Sequence, residues 1–298
     1  MVTGRTASRI ALALEGETSS PLVAGLTFAP PDALAAGANG CEDVAGRLVA
    51  ACHALALDFV FVPASAPWAP DVARSTDGCG VMWVVDGPLW PVLSARSLGE
   101  GLKATIRDPE SLRADLDRET ERGRNAIRQG LSLGVDAVVV AEDLAGRDGP
   151  FVTPEYAQAE VFSRLAVLAR TATSGGARAI LHSDGDVTSL LPSIRNASFS
   201  AVHGGGGLGR EGFERLFWEA RRQNVAVIGG VATASLQRAS FAAVNAGTRI
   251  ALLAQTGGLL IADDGGITTG EEIDAFAVAL GAARGMSAPT PESPRRRE

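Results

Sequence analysis

The stretch from Arg178 to Leu191, RAILHSDGDVTSLL, constrains the fold more than any other in the chain. An apolar run stops at a histidine, two aspartates and a glycine, and a helical pattern follows, which reads as strand, turn, helix. Ala179, Ile180 and Leu181 form a short buried strand. Gly185 releases the backbone into a tight turn, and Asp186 caps the helix that carries Leu190 and Leu191. His182 and Asp184 stand two apart in an extended segment, so both side chains leave one face and can grip one ion or one substrate group. The C-terminal end of a parallel strand is where α/β folds place their chemistry.

The same grammar recurs along the chain. PLVAGLTF (21–28), DFVFVPA (58–64), VMWVV (81–85), DAVVVAED (136–143), FSAVH (199–203) and VAVIGGV (225–231) are near-continuous apolar runs, as expected of parallel strands buried on both faces. The last unit, GGLLIADDGGITTGEEIDAFAVALGAARGM, supplies one more strand, a turn and a closing helix. Between the runs lie helical stretches. A helix from Glu42 to Leu57 puts Val44, Leu48, Val49 and Cys52 on one face. The charged, helical stretch from Ser97 to Gly134 gives Leu112, Leu116 and Ile127 to the core, and its Glu and Arg residues at helical spacing form a solvated face. Thr153 is the N-cap, and Pro154 the first residue, of a helix that runs to Gly175-Gly176.

Polar residues at strand ends are the candidate site. Glu142 and Asp143 are adjacent on a strand, so they point to opposite faces, and one of them is left to cap or to pair elsewhere. His203 ends the strand one unit after His182 and either faces the site or packs behind it. The GGGGLG run after it lacks both the P-loop lysine and the dinucleotide spacing, and Arg210 beyond it is a candidate anion contact. Tyr156, the single tyrosine, either reaches the mouth or packs. Trp90, after Gly87-Pro88, is a further candidate substrate contact.

LHSDGDVTSLL, VVVAEDLAG with GPFVTPEYAQAEVFSRL, and VAVIGGVATASL together resemble the uroporphyrinogen decarboxylase superfamily, over about Asp136 to Met286. The superfamily also contains the zinc-dependent corrinoid:coenzyme methyltransferases. The resemblance implies a (β/α)8 TIM barrel with its site at the C-terminal mouth. In the methyltransferase branch the corresponding turn reads His-x-Cys-Gly; here it is His182-Ser183-Asp184-Gly185, closer to that branch than to the decarboxylases, which have no histidine there. The decarboxylase devices are missing: the first strand ends in Thr27-Phe28-Ala29 without an arginine motif, the second in Pro63-Ala64-Ser65 without an aspartate, and no tyrosine follows Gly87-Pro88. The register puts Gly265 where the methyltransferases carry their distal zinc cysteine, with Asp264 one residue and Asp263 two residues off.

The resemblance therefore implies metal-dependent methyl transfer. The expected metal ligands are His182, Asp184, Glu142 and Asp264, the catalytic residues His182, Asp184 and His203, and the substrate contacts Trp90, Tyr156 and Arg210. This nitrogen and oxygen set suits zinc, and also iron or manganese. A corrinoid, free or on a corrinoid protein, is the implied methyl donor, and a homodimer the implied assembly. Two other readings stand beside it: a metal-free decarboxylase or lyase of a small carboxylated or tetrapyrrole-like substrate, and a non-catalytic barrel that binds a ligand or partner.

Composition sets the outer limits. A chain of 298 residues accommodates one barrel of roughly 250 residues, so residues 1–286 are expected as one domain and 287–298, Pro-rich and charged, as a disordered tail. The net charge of -7, without a basic aromatic stripe, argues against nucleic acid. No apolar run has the length of a membrane span or a signal-peptide core, so the protein is expected in the cytoplasm. Cys41, Cys52 and Cys79 lack paired spacing, which suits neither a disulfide framework nor a cysteine metal cluster. Lys103 is the only lysine and lies in a polar stretch, which disfavours Schiff-base chemistry.

Overall fold

Eight parallel strands lie side by side in chain order in the computed structural model: β1 (Ala24–Gly25), β2 (Phe59–Pro63), β3 (Gly80–Asp86), β4 (Ala137–Ala141), β5 (Arg178–Ser183), β6 (Ala201–Gly204), β7 (Ala226–Val231) and β8 (Leu259–Asp263). The structure describes residues 10–11, 13–15, 21–35, 43–76, 78–205, 207–238 and 240–285. Cys41 and the 287–298 tail lie outside them. A parallel bridge between Val23 and Ile261 joins β1 to β8, and the Ile261 amide donates to the Leu22 carbonyl at 3.0 Å, so the sheet closes into a (β/α)8 barrel.

Strand parity sorts the side chains into two cores. Ala24, Phe59, Phe61, Met82, Val84, Ala137, Val139, Ile180, Ala201, Ala226, Ile228, Leu260 and Ala262 fill the barrel interior, and Ile10 and Ala13 pack against them. The alternate residues, among them Val60, Val62, Trp83, Val138, Val140, Leu181 and Val202, face the outer helices. Burial on both faces is why the sequence shows continuous apolar runs instead of alternation.

The helices use the expected local devices. Glu110–Leu133 ends at Gly134 in the left-handed conformation, φ +79°, and buries Leu112, Leu116 and Ile127. It lies over β3 so closely that a methyl group on Gly130 would come within 2.6 Å of the Trp83 ring, and the Trp83 indole donates to the Ala126 carbonyl at 3.0 Å. Its outer face carries i,i+3 pairs, such as Arg118 with Asp115 and Arg122 with Glu119, confirming the solvated stripe. Thr153 caps the next helical stretch through its hydroxyl, which accepts from the Tyr156 amide. A π-helical turn, Ala157–Phe162, precedes the regular helix Ser163–Ser174.

Two expected boundaries change. The first strand is not the full 21–28 stretch, because Leu26 and Phe28 adopt φ of +62° and +56°, which an extended strand does not allow. The helix expected over Glu42–Leu57 spans Val44–Ala54, with Asp43 as its cap, accepting from the Gly46 amide at 2.6 Å. Cys52 and Cys79 are buried free thiols.

Candidate active site at the barrel mouth

β5 and β6 pair in a register that sets His182 beside His203. Both follow an inward residue by two positions, Ile180 and Ala201, so both rings point into the barrel. Their Nδ1 atoms lie 2.8 Å apart, and His203 Nε2 lies 2.9 Å from the carbonyl oxygen of Asp263 at the end of β8. A carbonyl only accepts, so His203 Nε2 carries a proton. In the neutral ring its Nδ1 is then a bare acceptor, and His182 Nδ1 must donate to it. The outward nitrogen, His182 Nε2, is left with a free lone pair.

Both rings are held neutral. Burial pulls His182 down to about 4, and burial together with His182 pulls His203 down to about 3.

Two carboxylates meet that lone pair. Asp184 Oδ1 lies 3.7 Å from His182 Nε2, too far for a hydrogen bond, and Asp143 accepts from the Asp184 backbone amide at 3.2 Å. One ligand atom from each of Asp143, His182 and Asp184 falls within 4.8 Å of the others. Burial, Asp143 and Asp264 push the Asp184 carboxyl up to about 6. The expected shared face of His182 and Asp184 is thus present.

The cluster opens on a cavity of about 240 Å³, lined by Phe28, Asp86, Trp90, Ala141 and Gly265 along with the acids and His182. Phe28 meets the His182 ring edge-on, with centroids 5.2 Å apart. Its left-handed backbone, unusual for a phenylalanine, is a strained position beside the site. Gly265 does line the cavity, but it brings no donor side chain.

Several expected site residues have other partners or other places. Glu142 does line the cavity, but it is buried and its two oxygens accept from the amides of Leu89 and Trp90 at 2.6 and 2.7 Å, at the start of the helix Leu89–Ser94, so it is committed to backbone. Burial pushes it up to about 8 against the pull of those amides. Asp143, not the expected Glu142, stands in the donor cluster. Asp264 also leaves the cluster, because its Oδ1 accepts from the Thr233 amide and hydroxyl at 3.1 and 2.5 Å. His203 stands behind His182 at 0% exposure and does not line the cavity. Tyr156 is buried away from the cavity, its hydroxyl without a hydrogen-bond partner among the described residues. Arg210 pairs with Glu214 at 3.1 Å and lines a different cavity. Trp90 stays a cavity residue. Asp86, which lines the mouth, was not singled out in the sequence, although it closes the third apolar run.

Searches against protein-family models and against curated proteins find no match. Solved structures do match. A methyltransferase from Methanosarcina mazei superposes with a TM-score of 0.70 at 17% identity, over 95% of this chain and 99% of that one. The likeness establishes the barrel fold. An archaeal fructose-1,6-bisphosphate aldolase matches at a TM-score of 0.53 and 10% identity over 94% and 99% of the two chains. The putative vitamin-B12 independent methionine synthase from Listeria monocytogenes follows, at 0.50 and 11% over 80% and 84%. The aldolase structure has its catalytic lysine covalently bound to a substrate intermediate; here Lys103 is exposed and paired with Glu100 at 2.6 Å. No helix among the described residues is long and apolar enough to cross a membrane.

Proposed function

We propose that the protein is an enzyme of the uroporphyrinogen decarboxylase superfamily, of the methyltransferase kind, which holds one divalent metal at Asp143, His182 and Asp184. The observation that carries this reading is the free His182 Nε2 lone pair facing two carboxylates at a strand-end mouth. A neutral imidazole whose other nitrogen is locked by a hydrogen bond is the form that ligates metals. Two carboxylates this close repel each other, and a cation between them relieves that repulsion.

The donor set is one nitrogen and two oxygens, which zinc, iron or manganese accepts. Such an ion supplies Lewis acidity, which lowers the pKa of a bound thiol or hydroxyl and makes it a methyl acceptor at neutral pH. His203 and the Asp263 carbonyl hold the His182 ring. Trp90 and Phe28 wall the cavity with apolar surface, and Asp86 adds a negative charge. The methyl donor suggested by the sequence resemblance is a corrinoid.

The lyase reading needs a cation to hold a substrate carboxylate. The described residues lining the cavity include four acids and neither arginine nor lysine, which opposes it. The test is demethylation of methylcobalamin in the presence of a thiol, followed by its absorbance, with zinc, iron or manganese supplied. Metal-dependent demethylation lost in His182→Ala is expected. Absence of turnover with every metal and a thiol in excess would remove methyl transfer and leave the ligand-binding barrel.

A further inference from the structure

A second, larger cavity of about 690 Å³ opens outside the ends of β6 and β7, between the helices Gly209–Arg222 and Ser240–Ala254. Its chemistry is opposite to that of the acidic mouth. Three arginines line it: Arg210, Arg238 and Arg249. Arg210 and Arg249 both donate to the same oxygen of Glu214, at 3.1 and 3.2 Å, so one carboxylate faces two guanidinium groups. Arg238 is exposed and has no ion-pair partner among the described residues. The inner end of the cavity carries Asp264, but that carboxylate is bound to Thr233. The arginine end therefore holds a surplus of positive charge.

Two further features suit an anion. The 14-residue helix Gly209–Arg222 begins at the cavity, and its cap position, Leu208, offers no side-chain acceptor to the first amides, although Glu211 in the first turn offsets part of the helix dipole. Gly205, at φ +84°, brings backbone to the cavity lining, and a Cβ there would come within 2.7 Å of the Phe213 ring. Phe213 and Leu252 add apolar walls.

We propose that this cavity binds the phosphate of an organic phosphate, with the arginines on the oxyanion and the apolar walls on its organic part. Guanidinium groups recognise phosphate oxygens in paired hydrogen bonds, and the cavity is of the size that small ligands fill. The site is separate from the Asp143, His182 and Asp184 cluster, and its test reads binding alone.

Phenyl phosphate is titrated into the full chain by calorimetry in low salt with chelator present. Saturable binding is expected, competed by inorganic phosphate, weakened about tenfold or more in Arg238→Glu, as the loss of a charged hydrogen bond implies, and unchanged in His182→Ala. Arg238 is exposed, so the variant should keep the wild-type melting temperature. No saturable binding, equal affinity in Arg238→Glu, equally tight binding of phenol, or loss of binding in His182→Ala would each overturn the proposal.

Discussion

His182 and His203 meet Nδ1 to Nδ1 at 2.8 Å, and the Asp263 carbonyl, 2.9 Å beyond on His203 Nε2, decides which nitrogen of each ring carries the proton. The chain of donors runs outward from backbone to mouth. It ends in a lone pair on His182 Nε2 next to Asp184, so a residue with no access to the cavity controls the chemistry of one that has it.

Replacing His203 with phenylalanine keeps a ring in the barrel but leaves the His182 Nδ1 proton unpaired and the ring free to turn. Metal affinity should fall about 10- to 100-fold, the usual loss when the outer partner of a ligating histidine is removed. Competition with a chromophoric chelator measures it. Unchanged affinity would mean that the histidine pair does not orient the ligand.

Metal affinity should also depend on pH through Asp184, whose carboxyl is raised to about 6 by burial, Asp143 and Asp264. A carboxylate must lose its proton to ligate. Affinity should rise as pH increases through 6 and level off above it, and Asp184→Asn should flatten that dependence. A titration between pH 5 and pH 8 shows either behaviour.

The histidines give the metal-free protein an acid liability. Their folded values, about 4 and 3, lie below the unfolded value of about 6.5. The unfolded chain therefore takes up protons first, and their contribution to stability, complete above about 6.5, is lost as pH falls toward 3. Glu142 and Asp263 act in the opposite direction, raised by burial to about 8 and about 7. Their contribution is complete below the unfolded carboxylate value of about 4 and is lost as pH rises through 7 and 8. Urea unfolding of His203→Phe across pH 4 to 6.5 should show a shallower loss toward acid than the wild type.

Glu142 should matter for folding. Glu142→Ala strips two buried amides of their acceptors and opens a small void, so a loss of about 2–4 kcal/mol is expected by thermal or urea denaturation. A loss below about 0.5 kcal/mol, the range of neutral surface changes, would contradict its role as the cap of Leu89–Ser94.

Much of this arrangement was legible in the sequence. The apolar runs located the eight strands, and the two-residue spacing of His182 and Asp184 placed them on one face. The choice between Glu142 and Asp143 was not legible, because β4 is apolar on both faces and its pattern carries no parity mark. Ala137 and Val139 point inward, and that parity carries through Ala141 to Asp143, which joins the site while Glu142 turns to the Leu89 amide. The partnership of His182 with His203 depends on the register between β5 and β6, a long-range property that neither strand states alone. Asp264 and Arg210 are strand-end or loop residues whose partners, Thr233 and Glu214, are set by the same packing.

Elemental analysis of the purified protein by plasma mass spectrometry, after reconstitution with zinc, iron or manganese and removal of free ion, tests the central claim most directly. The account predicts about one metal per chain, lost in His182→Ala, Asp184→Ala and Asp143→Ala and retained in Asp264→Ala. No retained metal in the wild type, or retention unaffected by all three ligand variants, would contradict it.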